Sequence, residues 1–141
     1  MIRVQTGDFD VGAELEQLRR DNNGRAGAIV SFTGLVRDIN AGDSVSKMTL
    51  EHYPGMTEKA LEKIEQEANT RWELTASLII HRVGALHPND NIVLVIAASK
   101  HRKQAFEACE FMIDTLKTEA PFWKKETLPE GTRWVKPGQC R

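Results

Sequence analysis

Residues 92–98 read Ile-Val-Leu-Val-Ile-Ala-Ala, an unbroken apolar run. Successive side chains of a strand point to opposite faces, so a strand with no polar alternation is buried on both. This run therefore demands a sheet with helices packed on it, and the rest of the chain must supply them. Val11, Leu15 and Leu18 recur at helical spacing, and Asn22-Asn23-Gly24 ends that helix. Residues 26–36 are rich in small and β-branched side chains and read as a strand, and 39–46, with Asn40, Gly42, Asp43 and Ser44, as a loop. Residues 47–53 alternate, with Met48, Leu50 and His52 on one face.

Pro54-Gly55 breaks that strand and Thr57 is placed to cap a helix with the stripe Ala60, Leu61, Ile64 and Ala68. Its charged side, Glu58, Lys59, Glu62, Lys63 and Glu65, reads as a solvated face. Residues 74–83 read as a strand and His87-Pro88-Asn89-Asp90 as a turn. Ser99 would cap a third helix carrying Ala105, Phe106, Cys109, Met112, Ile113 and Leu116, which Pro121 stops. Residues 122–128, the turn Pro129-Glu130-Gly131 and residues 132–135 complete a hairpin. The order αββαββαββ predicts an α+β fold. At 141 residues the chain fits a single domain, 1–141, with a short tail over 136–141.

Several function classes find no support. Nineteen Lys plus Arg against twenty Asp plus Glu give a net charge of −1, without the basic excess of a nucleic-acid binder. The apolar runs are too short to span a bilayer, and the first residues carry no signal-peptide pattern. Cys109 and Cys140 form no CxxC pair, a usage that fits a reducing cytoplasm, with Cys109 expected in the core and Cys140 in the tail. His52, His81, His87 and His101 lack the spacing of a zinc site, and no phosphate-binding glycine loop, dinucleotide fingerprint or nucleophile elbow occurs.

The third helix breaks a local rule. It opens Lys100-His101-Arg102-Lys103, cations where the macrodipole favours anions, at a cost of about a few tenths of a kcal/mol each. A bound phosphate or carboxylate would reverse that sign; a solvated basic turn is the plain alternative. Lys117 sits at the other end, where a cation suits the dipole anyway. If 122–128 is extended, Phe122, Lys124, Glu126 and Leu128 share one face, while Trp123, Lys125 and Thr127 point the other way. Glu126 could then orient the Lys124 ammonium or pass a proton. Arg37 ends the first strand beside the loop, a place where sites are commonly built.

Phe32-Thr33-Gly34-Leu35-Val36-Arg37, Leu50-Glu51-His52-Tyr53-Pro54-Gly55-Met56, Ile80-His81-Arg82-Val83-Gly84, Ser99-Lys100-His101-Arg102, the stretch from Leu116 through Ala120-Pro121-Phe122-Trp123-Lys124 to Glu126, and Pro129 through Trp134 together resemble one family. It is the large, catalytic subunit of molybdopterin synthase, the MoaE family, and the resemblance runs over roughly residues 5–135. It implies an α/β hammerhead-type fold with an additional antiparallel β subdomain. It also implies a sulfurtransferase of molybdenum cofactor biosynthesis. Sulfur arrives as a thiocarboxylate on the C-terminal Gly-Gly of a small ubiquitin-like sulfur-carrier subunit and is installed on cyclic pyranopterin monophosphate as the dithiolene of molybdopterin. The implied assembly is a cytoplasmic heterotetramer around a homodimer of large subunits. No metal or other cofactor is implied, nor a membrane or nucleic-acid partner.

Carried over by position, Arg37, His101, Arg102, Lys117, Lys124 and Glu126 fall on the family's substrate pocket, with Phe32, Leu35, Val36 and Lys125 in the same stretches. Lys117 and Lys124 match the lysines central to catalysis. Arg37, His101 and Arg102 are then expected to hold phosphate, Arg for its fork geometry. Leu35 stands where relatives often carry a basic residue. Two rivals are a non-catalytic module that binds a phosphorylated metabolite or a partner's C-terminus, and a sulfurtransferase that uses the thiol of Cys109 or Cys140.

Overall fold

The apolar run lies at the centre of a sheet, as its composition requires. The computed structural model describes residues 1–40 and 42–135. In chain order the elements are β1 (Ile2–Gln5), α1 (Val11–Asn22), β2 (Ala28–Leu35), β3 (Ile39–Asn40), β4 (Asp43–Ser44), β5 (Lys47–His52), α2 (Met56–Arg71), β6 (Leu74–Arg82), β7 (Gly84–Leu86), β8 (Asn91–Ser99), α3 (Arg102–Glu119), β9 (Phe122–Leu128) and β10 (Gly131–Val135). The first sheet has the order β1-β6-β8-β2, antiparallel except for the β1–β6 pair. Strand β8 contains the run and separates two apolar clusters. Val93, Val95 and Ala97 pack with Leu61, Ile64 and Ala68 of α2 and with Ala108, Cys109, Met112 and Leu116 of α3. Leu94, Ile96 and Ala98 face the other way, against Phe9 and Leu18, with Val11 and Leu15 of α1 at the margin. Each fully buried Leu or Ile contributes about 1.5–3 kcal/mol, so this two-sided strand is the main adhesive of the fold.

A second sheet, β10-β9-β5-β7, is wholly antiparallel. The chain passes from the first sheet to the second at Val83–Gly84, where Gly84 adopts φ +90°, a conformation that side chains rarely tolerate. The expected 74–83 strand is thus β6, and a separate short strand, β7, carries the chain on into the second sheet. Register places Met48, Leu50 and His52, which the alternation sets on one face, opposite Glu126, Lys124 and Phe122. Together the two sheets and three helices form the α+β arrangement that the element order predicts.

Five local expectations are corrected. Residues 2–5 form β1, parallel to β6; four residues between polar neighbours carry too short a pattern to be read alone. The 39–46 loop contains the small hairpin β3–β4, with Ile39 paired to Ser44 and Asn40 to Asp43. Thr57 does not cap α2. Gly55 precedes the helix with its N–H donating to Glu58 Oε1 at 3.0 Å, while the buried Thr57 hydroxyl accepts from Tyr53 N–H and donates to the Pro121 carbonyl. Ser99 is the last residue of β8 and its hydroxyl donates to the Glu73 carbonyl, leaving His101 at the cap position of α3 with no side-chain cap bond. Phe106, expected in the apolar stripe of α3, is 60% exposed.

Where β2 begins, Gly27 donates its N–H to the Ser99 carbonyl at 2.9 Å, and a Cβ there would lie 2.1 Å from the Lys100 carbonyl oxygen. Gly27→Ala should therefore lower stability by about 1–3 kcal/mol in urea unfolding, the usual cost of overpacking. Gly12→Ala, on α1 and 3.4 Å from the Asp10 carboxylate, should be neutral or stabilising. Equal effects at the two sites would contradict this account of the β8–α3 corner.

Candidate active site

The two sheets and the C-terminal half of α3 enclose a cavity of about 480 Å³, within the range of small-molecule sites. Its floor is apolar, with Phe32, Met48, Leu50, Ile113, Leu116 and Phe122 among the lining side chains. Three cations reach it from three elements. Arg37 follows β2, where the register slips between Gly34 and Leu35 and Val36 is clamped by the 87–90 turn. Val36 N–H donates to the Asp90 carbonyl at 3.0 Å, and Asn89 N–H donates to the Val36 carbonyl at 2.8 Å. Lys117 lies in the last turn of α3, and Lys124 projects from β9, whose alternation turns Phe122, Lys124 and Glu126 to the same side. Leu35 and Val36 line the same space.

Glu126 is the carboxylate of this wall, and it is almost fully buried. Both of its oxygens are engaged: Oε2 accepts from Asn40 Nδ2 at 2.7 Å and Oε1 from Arg133 Nε at 2.9 Å. Arg133 is the cross-strand partner of Glu126 on β10 and also donates to Asp43 Oδ2 at 2.7 Å and to the Asn40 carbonyl at 2.9 Å. These bonds, the one to Glu126 first, raise the Arg133 pKa above its ordinary value. Arg133 did not emerge from the sequence, although the 129–131 turn between paired strands already sets it opposite Glu126.

His81 also lines the cavity, from the end of β6. It is buried and stacked on Phe122, with ring centroids 3.8 Å apart and planes 16° apart. Its Nδ1 lies 2.8 Å from the Arg82 carbonyl, which can only accept, so that nitrogen carries a proton, and in the neutral ring the lone pair falls on Nε2. Burial pushes its pKa down to about 4, against the opposing pull of the Arg82 carbonyl and assisted by the neighbouring charges of Lys124 and His52.

Other candidate residues lie elsewhere. His101 and Arg102 are exposed at the start of α3, and the fifteen-residue rise from Arg102 to Lys117 amounts to about 22 Å. They do not line the cavity of their own chain. Lys125 points to the outer face of the second sheet, with Nζ 5.8 Å from the Trp134 ring centroid. Cys109 is buried with Sγ 3.7 Å from the Val95 carbonyl, and burial pushes its thiol up to about 11, so it is not a ready nucleophile. Cys140 and the 136–141 tail lie outside the described residues. Among the described residues no cluster of three or more His, Cys, Asp or Glu is placed to hold a metal.

Comparison with known proteins agrees on one family. The pattern of the family described as "MoaE protein" matches residues 4–119. The molybdopterin synthase catalytic subunit of Ralstonia nicotianae is 60% identical over 134 residues, covering 95% of this chain and 76% of the relative. The protein of the same description from Pseudomonas aeruginosa is 57% identical over 139 residues, covering 99% and 91%. Among solved structures, the molybdopterin biosynthesis MoaE protein from Burkholderia ambifaria superposes with a TM-score of 0.86 at 55% identity, covering 99% of this chain and 90% of that one.

The buried neutral histidine has a consequence for stability. Because its folded pKa lies below the unfolded value, the unfolded chain takes up a proton first as pH falls, and stability drops between pH 6.5 and about 4. The loss attributable to His81 should be on the order of 3 kcal/mol across that window. Urea unfolding of wild type and His81→Gln across this range should give a shallower pH dependence for the variant. Parallel curves would mean that His81 is not held neutral.

Proposed function

Because the chain belongs to the MoaE family, we propose that it is the catalytic subunit of a molybdopterin synthase. In this reading it is a single-domain cytoplasmic subunit that moves sulfur from the C-terminal thiocarboxylate of a small ubiquitin-like carrier onto cyclic pyranopterin monophosphate. Among the described residues no helix is long and apolar enough to cross a membrane.

The observation that carries the reading is the convergence of Arg37, Lys117 and Lys124 on one cavity whose carboxylate, Glu126, is already matched by Arg133. With Lys117 and Lys124 in the same wall, the cavity keeps an excess of positive charge. Both reactants are anionic, and two unit charges 4 Å apart repel by about 4 kcal/mol at an effective dielectric near 20. Cations fixed by folding offset that repulsion without reorganising, in the manner of an oxyanion hole. Arg37 would hold the substrate phosphate. Lys117 and Lys124 would act where charge develops, on the oxygen leaving the attacked carbon and on the thiocarboxylate carbonyl, with Lys117 placed to pass a proton to the leaving oxygen. The apolar floor excludes water from the reacting centre, and the neutral His81 lets the Lys124 ammonium remain without an added like charge.

The length of α3 bears on His101 and Arg102. If they contact substrate, they do so in the pocket of the second large subunit of a homodimer, about 22 Å from the lysine of their own chain. The exposed cations at the opening of α3 would then complete a neighbouring site.

Mixed with a thiocarboxylated small subunit and the cyclic pterin, the chain should yield dithiolene product, detected as its fluorescent oxidation derivative. Lys117→Ala should lower single-turnover conversion by about 100-fold or more, the usual cost of removing a preorganised charge-stabilising donor, and Lys124→Ala should follow it. Binding of the small subunit should change little in either. Wild-type conversion by both Lys117→Ala and Lys117→Arg would refute the role given to Lys117, and a stable complex without product would leave a binding module.

A further inference from the structure

We propose that Arg133 is a positioning residue of this site, clasping the β3–β4 hairpin against β9, and that Glu126 serves the pocket through that clasp rather than by touching substrate. The inference deepens the reading above and rests on it for its kinetic arm.

The geometry uses every nitrogen of one guanidinium. Nε donates to Glu126 Oε1 on β9, one terminal nitrogen to Asp43 Oδ2 on β4, and the other to the Asn40 carbonyl on β3. Asn40 closes the circuit by donating its side-chain N–H to Glu126 Oε2. Two hairpins distant in sequence, β3–β4 and β9–β10, are thus joined at one planar group. A hairpin of two-residue strands has no independent stability. At the base of the hairpin Val45 N–H donates across it to the Asp38 carbonyl at 2.7 Å, and Ser46 N–H ties it to β9 through the Thr127 carbonyl at 3.0 Å. Yet it supplies cavity wall, because Asn40 and Val45 both line the site and Arg37 lies just before it.

The chemistry of Glu126 points the same way. A carboxylate 2% exposed needs partners for both oxygens, and it has them. With both taken, Glu126 has no need of a substrate hydrogen bond, and its charge is cancelled inside the wall. Arginine suits this place because its rigid plane sets donors on three separate nitrogens, whereas an ammonium offers its three from a single point on a flexible stem.

The test follows hydrogen exchange at the Val45 and Ser46 amides together with the kinetics of the large subunit in complex with its thiocarboxylated partner. Arg133→Lys keeps the charge and loses the fork. It should speed exchange at both amides and raise KM for the cyclic pterin by about tenfold, the scale of a lost charge-assisted hydrogen bond. Asp43→Ala removes only the exposed arm and should show the same effects in smaller degree, so the result does not hang on a variant that strands a buried charge. Lys117→Ala should leave exchange unchanged. The Glu126→Ala and Arg133→Ala losses should not multiply in the double variant, since both break one clasp. Unchanged exchange in Arg133→Lys, or multiplying losses in the double variant, would overturn the proposal. Failure of wild type to make product would count against the synthase reading alone, because the exchange arm tests the clasp without it.

Discussion

Everything in this molecule is built outward from a strand with no polar face. Because β8 is apolar on both sides, the first sheet has to be covered twice, by α1 on one side and by α2 and α3 on the other. Strand β8 also fixes how α3 lies, since Ala108, Cys109 and Met112 pack on it along the middle of the helix. Once the helix is seated, its two ends are set in space, and with them the two groups of cations that it carries. The position of Lys117 is therefore a result of core packing far from any charge.

The second sheet solves a different problem. A cavity with several cations in its wall is costly unless charge is either used or cancelled, and this one does both. Lys117 and Lys124 stand uncancelled by Glu126, whose own charge is met by Arg133, while the His81 imidazole in the wall is kept neutral by burial. The balance is local and leaves no trace in a net charge of −1. It depends on strand register, because one residue of slip on β9 would turn Lys124 and Glu126 to the outer face and bring Trp123 and Lys125 inside.

Much of this was legible in the residues. Alternation in 47–53 and 122–128 predicts which side chains share a face, and the structure pairs those faces across β5 and β9. The helices α1, α2 and α3 follow their apolar stripes, apart from Phe106. Less visible were features set by contacts distant in sequence. Strand β1 exists because β6 offers it an edge. Thr57 and Ser99 look like helix caps, but their hydroxyls are recruited by carbonyls elsewhere in the fold. For the site, Lys124 and Glu126 were readable from periodicity, whereas the roles of Lys117 and Arg37 came only from resemblance, since a cation at a helix end or a strand end is ordinary. Arg133 was within reach of pairing arithmetic across the 129–131 turn, but nothing marks an arginine near a chain end as a structural clasp.

In the proposed sulfur transfer, the seat of Cys109 under Val95 takes on a further meaning. A thiocarboxylate is an acylating agent as well as a sulfur donor, and an accessible thiolate on the same helix as Lys117 would compete for the acyl group. With its thiol held to about 11 and covered on all sides, Cys109 is almost wholly protonated at neutral pH and out of reach. Here the interior provides chemical silence: on the helix that forms the pocket wall, Cys109 cannot divert the sulfur or the acyl group from its intended acceptor.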